Sequence, residues 1–174
     1  LVDEFVVALG KGDADDTTRQ EIESLNSPKI KFVDTDWDTA NFAKNTIFAQ
    51  QTDVAKQACT GDWLFYIQCD EAIHERFLPV VKRGIEKFDS VKEVEGLLFG
   101  YKHFWGDYAH FNQSHVFYPR EIRVIRNLPE IHSWRDAQSF RIYNTFTPTM
   151  ADYQRKEGTR KLNVAQIPAE IYHY

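Results

Sequence analysis

The stretch Gly61-Asp62-Trp63-Leu64-Phe65-Tyr66-Ile67-Gln68-Cys69-Asp70-Glu71 (GDWLFYIQCDE) runs through five consecutive apolar or aromatic residues into two adjacent carboxylates. Such a run, bounded by Gly61 and by polar residues, predicts a buried strand over 63–68. A buried strand that ends on acids either surfaces there or delivers them to a site. The flanking sequence bears on the choice.

On the N-terminal side, Val2–Leu9 reads as a strand ended by Gly10, and GKGDADDTT as a Gly/Asp-rich loop. Asp16 or Thr17 can cap a helix over TRQEIESL, and Asn26-Ser27-Pro28 ends it. A second strand is expected over Lys29–Val33. A helix then runs from about Asn45 to Ala58, with Ile47, Gln51, Val54, Ala55 and Ala58 on one face. After the 63–68 strand, Glu75–Phe88 reads as a helix with Pro79 in its first turn, where a missing N–H does no harm. This alternation predicts an α/β fold with a mostly parallel central sheet flanked by helices. In such sheets ligands bind beyond the carboxyl ends of the strands, so GKGDADD and QCDE are expected to line a site.

The second part changes grammar. Glu95–Trp105, Ser114–Tyr118, Ile122–Asn127 and Ile167–Tyr172 are aromatic-rich strands with few helical periods. The expectation is a single domain over 1–174. A nucleotide-binding half spans about 1–90, and a mixed-sheet half over about 91–174 holds a second ligand.

Hydrophobic content of 43% suits a globular fold, and a net charge of −5 argues against a general nucleic-acid binder. No apolar run approaches the roughly 20 residues that span a bilayer, and LVDEF lacks a signal-peptide pattern. Cys59 and Cys69 show no metal spacing and suggest a reducing, cytoplasmic setting. A peripheral place at the inner face of the membrane is left open. Residue 1 is Leu and the sole Met is Met150, so the sequence reads as a piece of a longer product.

Three motifs follow in order. Gly12, Asp15 and Thr17 match a D-D-G-S-x-D-G-T run. The segment QQTDVAKQACTGDW matches R-N-x-G-x-x-x-A-x-G-x-[YW], with Asp53 at the Asn position and Gly61 at the second Gly. IQCDE stands where a metal-binding D-x-D triplet is expected. On these residues the chain resembles the family 2 glycosyltransferases of the GT-A fold. YIQCDE, YKHFWGDY and YPREIRVIRN resemble a bacterial subgroup with a Gln-x-Asp-Glu variant. The resemblance implies that the family's first strand precedes Val2. It also implies a nucleoside diphosphate sugar donor, a glycan, lipid-linked or protein acceptor, inversion at the sugar, and a divalent cation (Mg²⁺ or Mn²⁺). Cell-surface polysaccharide synthesis is the family-level expectation.

It further assigns roles. Asp70 is the first choice of metal ligand, with Glu71 and with His173 of IYHY beside it; Asp70 or Glu71 can instead cap the following helix. Gln68 replaces the first acid of the triplet and weakens the shell. Cys69, between them, is expected to point into the core by strand alternation. Gly10, Gly12, Asp13, Asp15, Asp53 and Gln68 are assigned to the donor. The glycines are expected to allow a sharp turn or φ > 0. In PEIHSWRDAQSF, Asp136 matches the general base better than Glu130, and a salt bridge to Arg135 or Arg141 is the bland alternative. His103, His110 and His115 lie among aromatics; their spacings of seven and five fit no standard helical zinc-ligand pair, and a sugar-acceptor surface or a loop-covered core is the better reading. Arg120, Arg123 and Arg126 suit phosphate or a solvated strand face. A GT-A-like domain that binds nucleotide or glycan without turnover is the competing reading.

Overall fold

The computed structural model describes residues 2–112 and 117–174. Ser114–Val116 of the expected Ser114–Tyr118 strand, His115 included, lie outside them. The chain divides into two compact units. The first comprises residues 2–62 and 127–160, the second residues 63–126 and 161–174. Elements are numbered along the chain.

In the first unit, β1 (Phe5–Gly10) and β2 (Ile30–Thr35) pair in parallel through α1 (Thr18–Ser24). A parallel pair needs such a crossover, and the predicted alternation is met here. Asp16 Oδ1 accepts from the Thr18 amide at 2.8 Å and so serves the start of α1. The helix α2 (Thr46–Gln57) buries Ile47, Ala49 and Asp53. A hairpin of β8 (Ile131–Trp134) and β9 (Ser139–Tyr143), with β10 (Thr159–Lys161) against β9, forms a second small sheet. The short helix α4 (Met150–Gln154) is capped by the Thr149 side chain. None of these last four elements is foreseen from the sequence, because each is too short to display a period.

The second unit holds β3 (Trp63–Phe65), β4 (Glu71–Ile73), α3 (Leu78–Phe88), β5 (Gly96–Trp105), β6 (Asp107–Asn112), β7 (Arg120–Arg126) and β11 (Val164–His173). Its sheet runs β3-β7-β5-β11-β4, with β6 paired to β5. Only β5 and β11 pair in parallel; the other pairings are antiparallel. The α/β class holds, but the central sheet is mixed, not mostly parallel. The reason is local: β3 pairs with β7 and not with β1 or β2, so the alternation stops building one sheet after β2. Pro168 cannot donate to the ladder, and the β5–β11 register shifts between Gln166 and Glu170 around it.

Leu97, Phe99, Val124, Ile167 and Ile171 from three strands pack with Val81 of α3 as the core of this unit. Each such side chain contributes roughly 1.5–3 kcal/mol on burial. A Cβ at Gly84 would sit 3.1 Å from Ile167 Cγ2, so this position lets α3 lie close on the sheet. Arg126 donates to the carbonyls of Phe88, Asp89 and Val91 at 2.7–3.1 Å and to that of Val94 at 2.8 Å. It thus satisfies the end of α3, where helical carbonyls lack partners. Among the described residues no helix is long and apolar enough to cross a membrane.

Candidate functional site

The opening stretch folds differently from its expected strand. Pairing ends at Phe65, apart from Tyr66 N–H donating to Arg123 O at 2.7 Å. Gln68-Cys69-Asp70-Glu71 is then a turn closed by Glu71 N–H to Gln68 O at 3.1 Å. Strand alternation does not apply in a turn, and Cys69 is accordingly exposed rather than in the core.

The turn sends the two acids to different fates. Glu71 is buried. Arg123 Nε donates to its Oε2 at 2.9 Å and Arg123 Nη2 to Oε1 at 2.6 Å; Tyr101 Oη donates to Oε1 at 2.7 Å. Arg123 is itself fully buried, with its guanidinium 5.2 Å from the ring centres of Tyr66 and Tyr101. Burial alone would push the Glu71 carboxyl up, but the Arg123 hydrogen bonds and charge outweigh it and hold the carboxyl below its ordinary value. Burial, with the Glu71 charge beside it, pushes the Tyr101 hydroxyl well up. Both Glu71 oxygens are therefore engaged inside the unit, and Glu71 does not suit a metal ligand. Arg123 and Arg126 are likewise engaged inside the fold, which leaves Arg120 as the exposed member of the expected phosphate trio.

Asp70 stays half open. Its Oδ2 lies 3.6 Å from His173 Nε2, and its carbonyl accepts from Tyr174 N–H at 3.0 Å. The β4–β11 register sets His173 opposite Glu71, and the β5–β11 register sets it beside His103. His103 is buried; its Nδ1 lies 3.3 Å from His173 Nδ1 and its Nε2 2.8 Å from the Tyr118 carbonyl. Burial pushes the Tyr118 hydroxyl up to about 12. Of the other two members of the expected trio, His110 Nδ1 sits on Asp107 in the exposed strand β6, and His115 lies outside the described residues. Among the described residues no cluster of three or more His, Cys, Asp or Glu is poised to hold a metal.

In the first unit, Asp136 lines a cleft of about 360 Å³ with Lys44, Asn45, Arg135 and Gln154. Asp136 makes no ion pair with Arg135 or Arg141; Arg141 Nε donates to Thr159 Oγ1 at 2.6 Å, and Arg135 stacks on Trp134. Five non-glycine residues among those described have φ > 0. Three of them, Lys44, Asn45 and Arg135, line this cleft, and a fourth, Ala137, follows Asp136. Such backbone costs of order 1–3 kcal/mol per residue and gathers at functional sites.

Asp53, assigned to the donor, is instead buried among its own neighbours. Its Oδ2 accepts from His132 Nδ1 at 2.8 Å and Tyr153 Oη at 3.1 Å, and its Oδ1 from the Ser133 amide at 2.9 Å. It ties α2 to β8 and α4. Burial and the Asp53 charge push the Tyr153 hydroxyl well up.

The GKGDADD loop follows β1 as expected. Gly10, Gly12 and Asp13 line a cleft of about 400 Å³ with Asp34, Thr35 and Asp36 from the end of β2. Asp15 is exposed and does not line it. Neither glycine takes φ > 0. A Cβ at Gly10 would meet Trp37 Nε1 at 2.6 Å and one at Gly12 would meet Asp16 Oδ2 at 1.9 Å, so close approach is what both supply.

Sequence reasoning missed Tyr101, Lys44, Asn45, Gln154 and the pairing of His103 with His173, none of which leaves a local pattern. No protein-family model matches the chain, and no curated protein is significantly similar to it.

Proposed function

We propose that the chain is an inverting glycosyltransferase domain acting on a nucleoside diphosphate sugar with the help of a divalent cation. One observation carries the reading: Asp70 and His173, distant in sequence, bring a carboxylate oxygen and an imidazole nitrogen within 3.6 Å at one corner of the second unit. Both are partly exposed, and the O/N donor set suits Mn²⁺ better than Mg²⁺, which prefers oxygen. A cation held there would act as a Lewis acid for the negative charge that grows on the departing diphosphate. Gln68 contributes the turn that presents Asp70, and Glu71 with Arg123 makes that turn rigid.

Within the first unit, Gly10, Gly12 and Asp13 would receive the nucleoside, since the carboxylates of Asp13, Asp16, Asp34 and Asp36 in their cleft, beside Lys11 and Arg19, can accept from hydroxyl and N–H donors. Asp136 would take the proton of the acceptor hydroxyl as that oxygen bonds to the anomeric carbon. The engagement of Glu71 by Arg123 favours a second reading, a nucleotide- or glycan-binding domain without turnover, because it leaves few protein ligands for a cation.

Calorimetry of the chain against a panel of nucleoside diphosphate sugars, with and without Mn²⁺, tests the proposal. Mn²⁺-dependent binding lost in Asp70→Asn is expected; no binding of any donor sinks it. Product analysis then separates the two readings, with Asp136→Asn expected to lower transfer by about 10²–10⁴-fold without abolishing donor binding.

A further inference from the structure

A backbone carbonyl only accepts hydrogen bonds. The Tyr118 carbonyl lies 2.8 Å from His103 Nε2, so that nitrogen carries the proton and Nδ1 of the neutral ring is bare. His173 Nδ1, 3.3 Å from this bare nitrogen, must then be the donor. A neutral His173 that carries its proton on Nδ1 has a lone pair on Nε2, the atom beside Asp70 Oδ2. Without His103 the preference reverses: Asp70 would draw the proton to Nε2 and close the pair on itself.

We propose that His103 is a positioning residue that fixes the His173 tautomer, keeping Nε2 bare beside Asp70 as an N/O pair open to a divalent cation. The use of the pair rests on the cation site proposed above; the tautomer is a property of this chain alone. The His103 ring is well placed to hold that orientation. It is buried, its centre lies 4.7 Å from that of Tyr118 in an edge-on contact and 5.2 Å from that of Phe117, and the parallel β5–β11 register brings it opposite His173. Hydrogen bonds behind a metal-binding imidazole set which nitrogen is presented, and their loss typically costs 10–100-fold in affinity.

Long-range ¹H–¹⁵N correlation spectra of the ¹⁵N-labelled, metal-free chain read the tautomers directly at about pH 8.5, where the spectra themselves show whether each ring is neutral. The expected result is His173 protonated on Nδ1 and His103 on Nε2. His103→Phe should move the His173 proton to Nε2 and weaken Mn²⁺ binding, measured by water-proton relaxation, by about 10–100-fold. His103→Gln, whose amide can accept from His173 and donate to Tyr118, should restore both. His173 protonated on Nε2 in the unaltered chain overturns the proposal without need of a variant, and so does an unchanged tautomer in a folded His103→Phe. If the tautomers behave as expected and the unaltered chain binds no Mn²⁺, the cation reading fails while the positioning role stands.

Discussion

Glu71 in the second unit faces a guanidinium, whereas Asp53 in the first faces an imidazole, a phenol and a backbone amide. Both carboxylates are buried, and both tie together elements far apart in the chain. Their partners differ in what they become if the acid is removed. Arg123 is charged at every accessible pH and fully buried, so without Glu71 it loses the carboxylate to which both its Nε and its Nη2 donate. The donors around Asp53 can be neutral, so without the acid they are merely unpaired. The cost of losing each anchor should therefore differ in kind.

The largest effect expected is on Glu71→Ala, which should destabilise by about 3–5 kcal/mol in urea unfolding, because removing one partner of a buried ion pair takes away the charge that offset the other's desolvation. Asp53→Asn should cost less, about 1–3 kcal/mol, since the amide keeps one acceptor. Equal losses from the two variants would break the comparison. Acid tests the anchors in another way. Folding holds the Glu71 carboxyl below its ordinary value, and it pulls Glu4 from 4.5 to about 2 through Lys31 and the Thr60 amide. A depressed folded value means stability that is present above the ordinary carboxylate range and is lost as pH falls through the folded value. Stability should thus decline from about pH 4.5 toward 2, and Glu4→Gln should flatten that part of the curve. The smallest effect concerns the thiols. Cys69, exposed in the QCDE turn, should react with a disulfide reagent well before Cys59. Burial pushes the Cys59 thiol up, and its Sγ donates to the Ala55 carbonyl. Equal rates would mean that the QCDE turn does not present Cys69 as described.

Much of the local structure was legible. The βαβ start, α2 and the strands around Gly96–Trp105 and Arg120–Arg126 follow from periodicity and from Gly and Pro punctuation. The β8–β9 hairpin was not, because its four- and five-residue strands carry buried polar groups such as Ser133 and turn through left-handed Arg135 and Ala137. Among the candidate site residues, Gly10, Gly12 and Asp13 share a cleft as their loop position suggested. The buried setting of Asp53 was not legible because its partners, His132, Ser133 and Tyr153, lie 79–100 residues away.

By itself the sequence determined many of the longer helices and strands, that one short stretch ends on two acids, and which residue types stand near it. Only the tertiary structure decided what those acids do. Glu71 is closed off by Arg123, 52 residues away, while Asp70 meets His173, whose ring leans on His103, 70 residues before it in the chain. Periodicity reports which face of its own element a residue occupies. Which strand lies opposite, and in what register, is set by packing across the whole sheet, and that pairing separated two neighbouring carboxylates into a buried anchor and an open one.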